Sequence, residues 1–180
     1  MADKIFIKEF KTDYGELLLG DYNEQLCLCD WKYRRMRTAI DSRIQEGLQS
    51  EYVVETTAFH EEVTNQLEAY FEGKLKTFDL PLKAVGSAFQ QSVWEALQQI
   101  PFGSRETYLG LSRKLGNEKA IRAVASANGA NAISILVPCH RVVGSNGELT
   151  GYAGGLSAKR KLLKMEEKVV GVGQLDIFEK

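Results

Sequence analysis

The chain has 180 residues, 44% apolar and 9% aromatic, which is enough for one substantial core or for two small domains sharing an interface. No apolar run approaches the roughly 20 residues that cross a bilayer, and the opening MADKIFIKEF interrupts its apolar pairs with charge, so neither a membrane span nor a signal peptide is expected. The net charge of −1 conceals a division: residues 1–79 hold 10 Lys/Arg against 16 Asp/Glu, whereas residues 80–180 hold 13 against 8, which predicts a phosphate-facing surface on the second half. Three cysteines form no even disulfide framework, so a reducing, cytoplasmic setting with free thiols is expected.

Taken in chain order, IFIKEF, GELLLGDY and EQLCLCDW read as three strands of an antiparallel meander, with turns at Asp13-Tyr14-Gly15 and Asn23-Glu24. Residues 32–50 have helix-compatible spacing without strong caps. Phe59, Val63, Leu67, Tyr70 and Phe71 recur at helical spacing, so Ala58–Glu72 is predicted as an amphipathic helix stopped by Gly73. KLKTFDLPLKAVG follows as a connector. Beyond it the pattern is almost wholly helical. Phe89, Val93, Trp94, Leu97 and Ile100 make one helix face, ended by Pro101 and Gly103, and Thr107 caps a short helix over 108–114. After Leu115-Gly116-Asn117, with Asn117 as N-cap, another helix runs over 118–128, and the pair has helix-turn-helix spacing. A last helix is predicted over about Ser157–Lys168. The fold class is α+β, divided as an N-terminal α/β domain with connector (1–80), a C-terminal domain (81–168) and a tail (169–180).

On helix 118–128, Ile121, Val124 and Ala125 are expected to pack inward, leaving Arg122, Ala123, Ser126 and Ala127 on the opposite face; these four and Asn128 are the candidate DNA-binding positions. A reader of base edges needs several long polar side chains, and this face has one. A small Ala/Ser surface with a single arginine fits a backbone or narrow groove without reading sequence, while a plain helical hairpin with a solvated Arg122 is the alternative.

ILVPCHRVV sets Cys139 beside His140, one of only two histidines. A thiol of ordinary pKa needs a base or a positive environment to react, yet adjacent residues diverge on a strand or helix, so a direct contact is awkward. A bridging water, or a bend at Pro138, is required. Glu166 in the last helix, with Glu167 behind it, is a candidate partner for the other imidazole nitrogen. The alternative reading of Cys139 is buried filler.

TYLGLSRKLGNEKAIRAVASANGAN (107–131) followed by PCHRVVGSNGELTGYAGGLSAKRKLLKMEE (138–167) closely resembles the O6-alkylguanine-DNA alkyltransferases of bacterial type, also called methylated-DNA–protein-cysteine methyltransferases. The resemblance is dense over residues 88–167 and looser, but in the right order, over FHEEVTNQLEAYFEGKLKTFDLPL. It implies a ribonuclease H-like N-terminal domain and a winged-helix-like C-terminal domain. It also implies stoichiometric, irreversible transfer of an alkyl group from O6-alkylguanine, and from O4-alkylthymine, in double-stranded DNA. No cofactor is implied. Cys139 matches the nucleophile, His140 the base acting through water, Glu166 the carboxylate orienting it and Asn131 the support of the active-site turn. Tyr108 matches the tyrosine that contacts the flipped guanine and helps protonate it. Arg122 matches the finger that fills the gap in the duplex, and Val142, Tyr152 and Ala153 match pocket positions. Ala132 stands where many members have proline, and Ala153 where some have serine.

The rival reading is a non-catalytic or regulatory module that binds alkylated DNA, which the presence of Cys139 disfavours. Cys27 and Cys29 are expected to share a strand face with Trp31 as core, and with only His60 left over no metal site is expected. Gln174-Leu175-Asp176-Ile177-Phe178 resembles the pentapeptide with which bacterial repair proteins dock on the sliding clamp. A monomer, associated with the nucleoid in a bacterium, is expected.

Overall fold

The computed structural model describes residues 3–178, with side chains described up to residue 171. The three predicted strands form as β1 (Lys4–Thr12), β2 (Gly15–Tyr22) and β3 (Gln25–Trp31). They run antiparallel, with Phe10 opposite Leu17 and Leu19 opposite Cys29. Asn23 and Glu24 both take positive φ, 52° and 59°, the twist that a two-residue hairpin requires. Residues 32–50 contain helix α1 (Arg37–Leu48). It returns the chain to a fourth strand that the sequence did not announce, β4 (Glu51–Val54), paired parallel to β1. The sheet is therefore mixed rather than purely antiparallel, in the order β3-β2-β1-β4. EYVV is too short for an alternating pattern to register.

Helix α2 (Ala58–Phe71) starts at a capping box: Thr57 accepts from the His60 amide while His60 Nδ1 accepts from the Thr57 amide. Phe59, Val63, Leu67 and Tyr70 on α2 share a cluster with Leu17 and Leu19. A second cluster joins Ile40 and Ile44 of α1 with Ile5, Cys27 and Leu28. The expectation that Cys27, Cys29 and Trp31 share one face fails at a β-bulge. Gly20 opposes Leu28 and Asp21 opposes Leu26, so Cys27 is the extra residue. It packs in the α1 cluster while Cys29 and Trp31 stay in the main core. Burial pushes the Cys27 thiol up to about 12 and raises that of Cys29 as well.

The second half consists of α3 (Ala88–Leu97), β5 (Glu106–Thr107), α4 (Tyr108–Lys114), α5 (Ile121–Gly129), β6 (Val142–Val143) and α6 (Gly155–Phe178). The helix predicted over 118–128 divides into a 3-10 turn, Glu118–Ala120, capped by Asn117, and then α5. Helix α6 runs past the predicted end at Lys168, and the side chains of Gln174–Phe178 lie outside the described residues.

The two halves share one core. Leu17, Cys29 and Trp31 from the sheet meet Trp94, Leu97, Ile133, Cys139 and Leu162. Backbone pairing seals the junction: Cys29 N donates to Ala132 O at 2.9 Å, and Ser134 N donates to Cys29 O at 2.7 Å. The outer edge of β3 is thus covered by the segment that leads to Cys139, and the sheet fixes that segment in space.

Candidate active site

Cys139 begins a one-turn 3-10 helix, Cys139–Arg141, behind Pro138. The approach is a tight turn in which Val137 N donates to Ile133 O at 3.0 Å and Cys139 N donates to Val137 O at 2.8 Å. Within it Ile135 takes φ 75°, a conformation that costs a β-branched residue roughly 1–2 kcal/mol. The surroundings over-determine it, since Ile135 is buried in the core. Asn131 braces the turn from inside: its Oδ1 accepts from Ile133 N at 2.9 Å, and its Nδ2 donates to Val137 O at 2.9 Å and contacts Cys139 Sγ at 3.2 Å.

The thiol is 4% exposed. Burial raises its pKa, against the lowering effects of the Asn131 hydrogen bond, Lys159 and Arg34. It is therefore a protonated thiol at rest and needs a base to react.

His140 turns Nε2 toward Glu166. Its Nε2 lies 2.8 Å from Glu166 Oε1, and burial pushes its pKa down against the pull of that carboxylate, so a neutral imidazole faces the carboxylate. Glu166 accepts from every side: Tyr70 Oη at 2.6 Å, Arg141 Nη2 at 2.9 Å, Arg141 Nε at 3.0 Å and the Gly103 amide at 3.1 Å. Burial opposes its charge, but His140 and Arg141 outweigh burial and bring it down to about 2. An ionised carboxylate only accepts, so the imidazole proton sits on Nε2 and Nδ1 keeps a free lone pair. Nδ1 is buried and has no hydrogen-bond partner among the described residues. It is the basic atom of the site.

Around Sγ lies a cavity of about 300 Å³, within the range of small-molecule sites. Its walls include Tyr108, Asn131, Tyr152 and Ala153, together with Arg35 and Met36 from the first half of the chain. Tyr108 follows the Thr107 cap of α4 and donates to Thr150 O at 3.4 Å. Lys159 is fully buried and donates to Val142 O (2.6 Å), Thr150 O (3.0 Å) and Gly151 O (3.3 Å), so it holds the loop before Tyr152. Burial lowers it to about 8, but three carbonyl acceptors use all three protons of the ammonium form. A larger cleft of about 700 Å³, between residues 76–84 and α3, does not contain the thiol.

Two sets of predicted positions are placed differently. Val142 is fully buried in the core and is not a cavity wall; it meets the site through its backbone, its amide donating to Cys139 O and its carbonyl accepting from Lys159. On α5, Arg122, Ala123 and Ser126 are exposed, but Ala127 and Asn128 are buried and face inward with Val124. Val124, Ala127 and Asn128 are three and four residues apart and share a stripe, while the half-buried Ala125 lines the cavity. Alanine carries no signal of which way a helix turns.

The sequence reading missed Tyr70, Arg141 and Lys159. Tyr70 was legible in part: a tyrosine on the apolar stripe of α2 buries a hydroxyl that must find a partner.

Fold and site together define a two-domain α+β protein in which a helix-turn-helix stands beside a buried cysteine. Comparison with known proteins agrees. The family model of the 6-O-methylguanine DNA methyltransferase DNA binding domain matches residues 88–168, and that of the 6-O-methylguanine DNA methyltransferase ribonuclease-like domain matches residues 10–84. The methylated-DNA–protein-cysteine methyltransferase of Methanosarcina mazei is 58% identical over 114 residues, 63% of this chain and 72% of the relative. That of Mycobacterium tuberculosis is 50% identical over 103 residues, 57% of this chain and 62% of the relative. The crystal structure of M. tuberculosis OGT in complex with DNA superposes with a TM-score of 0.79 at 36% identity, covering 91% of this chain and 94% of that one. The chain belongs to the O6-methylguanine-DNA methyltransferase family.

Because Glu166 is held at about 2 in the fold and titrates near ~4.3 in an unfolded chain, the stability it contributes is complete above that unfolded value and is lost as pH falls through about 2. At neutral pH, Glu166→Gln is expected to cost about 3–5 kcal/mol in chemical denaturation, since Arg141 is left buried without a counter-charge. The gap to the wild type should narrow as the pH is lowered through the acid range; a gap independent of pH would mean that the charge is not what holds the cluster.

Proposed function

We propose that the methyl transfer of this family runs on Cys139 in a single in-line displacement. An O6-alkylated guanine, extruded from the duplex, occupies the cavity above Sγ; a stacked base offers no line of attack on the alkyl carbon. A water relays the thiol proton to His140 Nδ1. The sulfur–carbon bond forms as the carbon–O6 bond breaks, and the leaving guanine takes up a proton with help from the Tyr108 hydroxyl. Thiol and alkylguanine become thioether and guanine, so atoms and protons balance without a cofactor, and the protein is consumed. The carrying observation is the thiol at the floor of the cavity, held by Asn131, with an imidazole behind it whose free nitrogen is buried.

Arg122 is proposed as the side chain that replaces the extruded base. It is exposed at the second position of α5, beside the small residues Ala123 and Ser126. Such a face approaches DNA closely and reads no sequence, which suits a protein whose lesion occurs in any context. Asn131, Tyr152 and Ala153 shape the site for the base. The protein is proposed to act as a monomer and to reach the sliding clamp through Gln174–Phe178.

Intact-mass measurement after incubation with duplex containing methylguanine should show one methyl group per chain, absent in Cys139→Ser; repeated turnover or no adduct rejects the reading. Arg122→Ala is expected to slow repair in duplex DNA about tenfold more than reaction with free benzylguanine, because only the duplex must be held open; equal loss on both substrates removes the finger assignment. Deleting residues 174–178 should abolish retention on immobilised clamp, and unchanged retention rejects clamp docking.

A further inference from the structure

The C-terminal end of α5 is held by side chains from the other half of the chain. Arg34 Nη2 donates to Gly129 O at 2.6 Å and Arg34 Nη1 to Asn131 O at 3.1 Å. Arg43 Nη2 donates to Ala130 O at 2.9 Å. These carbonyls have no partner within the helix and carry the negative end of its dipole, so guanidinium groups are the matching donors. Arg34 is itself fixed by Asp30, a fully buried carboxylate that it contacts at 3.1 and 3.2 Å. Asp30 also accepts from Arg37 Nη1 at 3.0 Å and from Ser134 Oγ at 3.3 Å. Burial raises the Asp30 carboxyl while Arg34 and Arg37 pull it down.

This cluster reaches the thiol through Asn131. One of the two carbonyls that Arg34 holds belongs to Asn131, whose side chain contacts Sγ. Two hydrogen bonds in series therefore run from Arg34 to the sulfur, and Ser134 ties the far side of the same turn to Asp30. Arg34 also lines the cavity and is among the charges that lower the thiol pKa.

We propose that Arg34, locked by Asp30, is a positioning residue for alkyl transfer: it sets the recognition helix and the Asn131–Cys139 turn in one fixed relation. The ribonuclease-like domain thereby acts on the reaction without touching the substrate's reacting atoms. A helix docked on DNA carries the thiol to a defined place only if the helix end and the turn cannot shift independently, and a small misplacement of a reacting group is costly. Among the described residues, the donors to the Gly129, Ala130 and Asn131 carbonyls beyond the local turn come from residues 34 and 43, and none comes from the C-terminal domain.

The inference rests on Cys139 being the alkyl acceptor, and the wild-type protein in the same assay tests that separately: no adduct in the wild type defeats the proposed function, not this coupling alone. Arg34→Ala leaves Asp30 paired with Arg37, and Arg34→Lys keeps a charge against Asp30 but loses the fork that reaches two carbonyls. Rates with methylguanine duplex and with free benzylguanine are both expected to fall about 10- to 100-fold in Arg34→Ala. Arg34→Lys should recover only part of that loss while melting close to the wild type. The pH midpoint for Cys139 alkylation by iodoacetamide should rise in Arg34→Ala, which a purely structural weakening would not produce. Should Arg34→Ala fail to fold, Arg34→Lys alone decides. Rates and midpoint within about twofold of the wild type in the folded variant, whatever its melting temperature, overturn the proposal.

Discussion

One buried carboxylate constrains the rest of the structure. Glu166 is inaccessible to solvent, and an ionised carboxylate in such a place is tolerable only when every lone pair is used. Its donors come from α2, from the 3-10 turn that carries Cys139, and from the loop at Gly103. Gly103 serves this geometry with φ 80°, and a Cβ there would collide with Val170. Satisfying one charge therefore joins three distant parts of the chain, and it fixes the tautomer of His140 as a by-product. A base whose proton is assigned in advance is ready without any rearrangement.

The burial that protects this arrangement also restrains it. Cys139 and His140 are both shifted toward their neutral forms, so the resting site is an unreactive thiol beside a neutral imidazole. If Cys139 is spent in a single transfer, as proposed, a thiol kept protonated and 4% exposed avoids loss to other electrophiles. Cys27 and Cys29, buried and shifted upward, are protected by the same physics and stand outside the site.

Much of the fold was legible because local signals agreed with the final packing. The strands β1 to β3, helix α2 and helix α4 follow from alternation, helical spacing, the stop at Gly73 and the cap at Thr107. Where the reading failed, the deciding force was not local. Strand β4 is four residues held by pairing to β1, the bulge at Cys27 reverses a face that strict alternation assigns, and the α5 stripe is built of residues too small to declare a side. In the site, Cys139, His140, Glu166, Asn131 and Tyr108 were named from motif residues. Tyr70, Arg141, Lys159 and Asp30 were not, since a buried polar side chain looks like a surface one until its partners are known.

By itself the sequence determined the order of most elements, the family and the cysteine proposed as nucleophile, because these depend on residue type and spacing along the chain. Only the tertiary structure decided which nitrogen of His140 is basic, how Glu166 is held, and that arginines from the first half close the end of α5. Each of these rests on contacts between residues dozens of positions apart, such as Tyr70 with Glu166 and Arg34 with Gly129. Charge and hydrogen bonding act through space at a few ångströms, and separation along the chain does not reveal which groups will be brought that close.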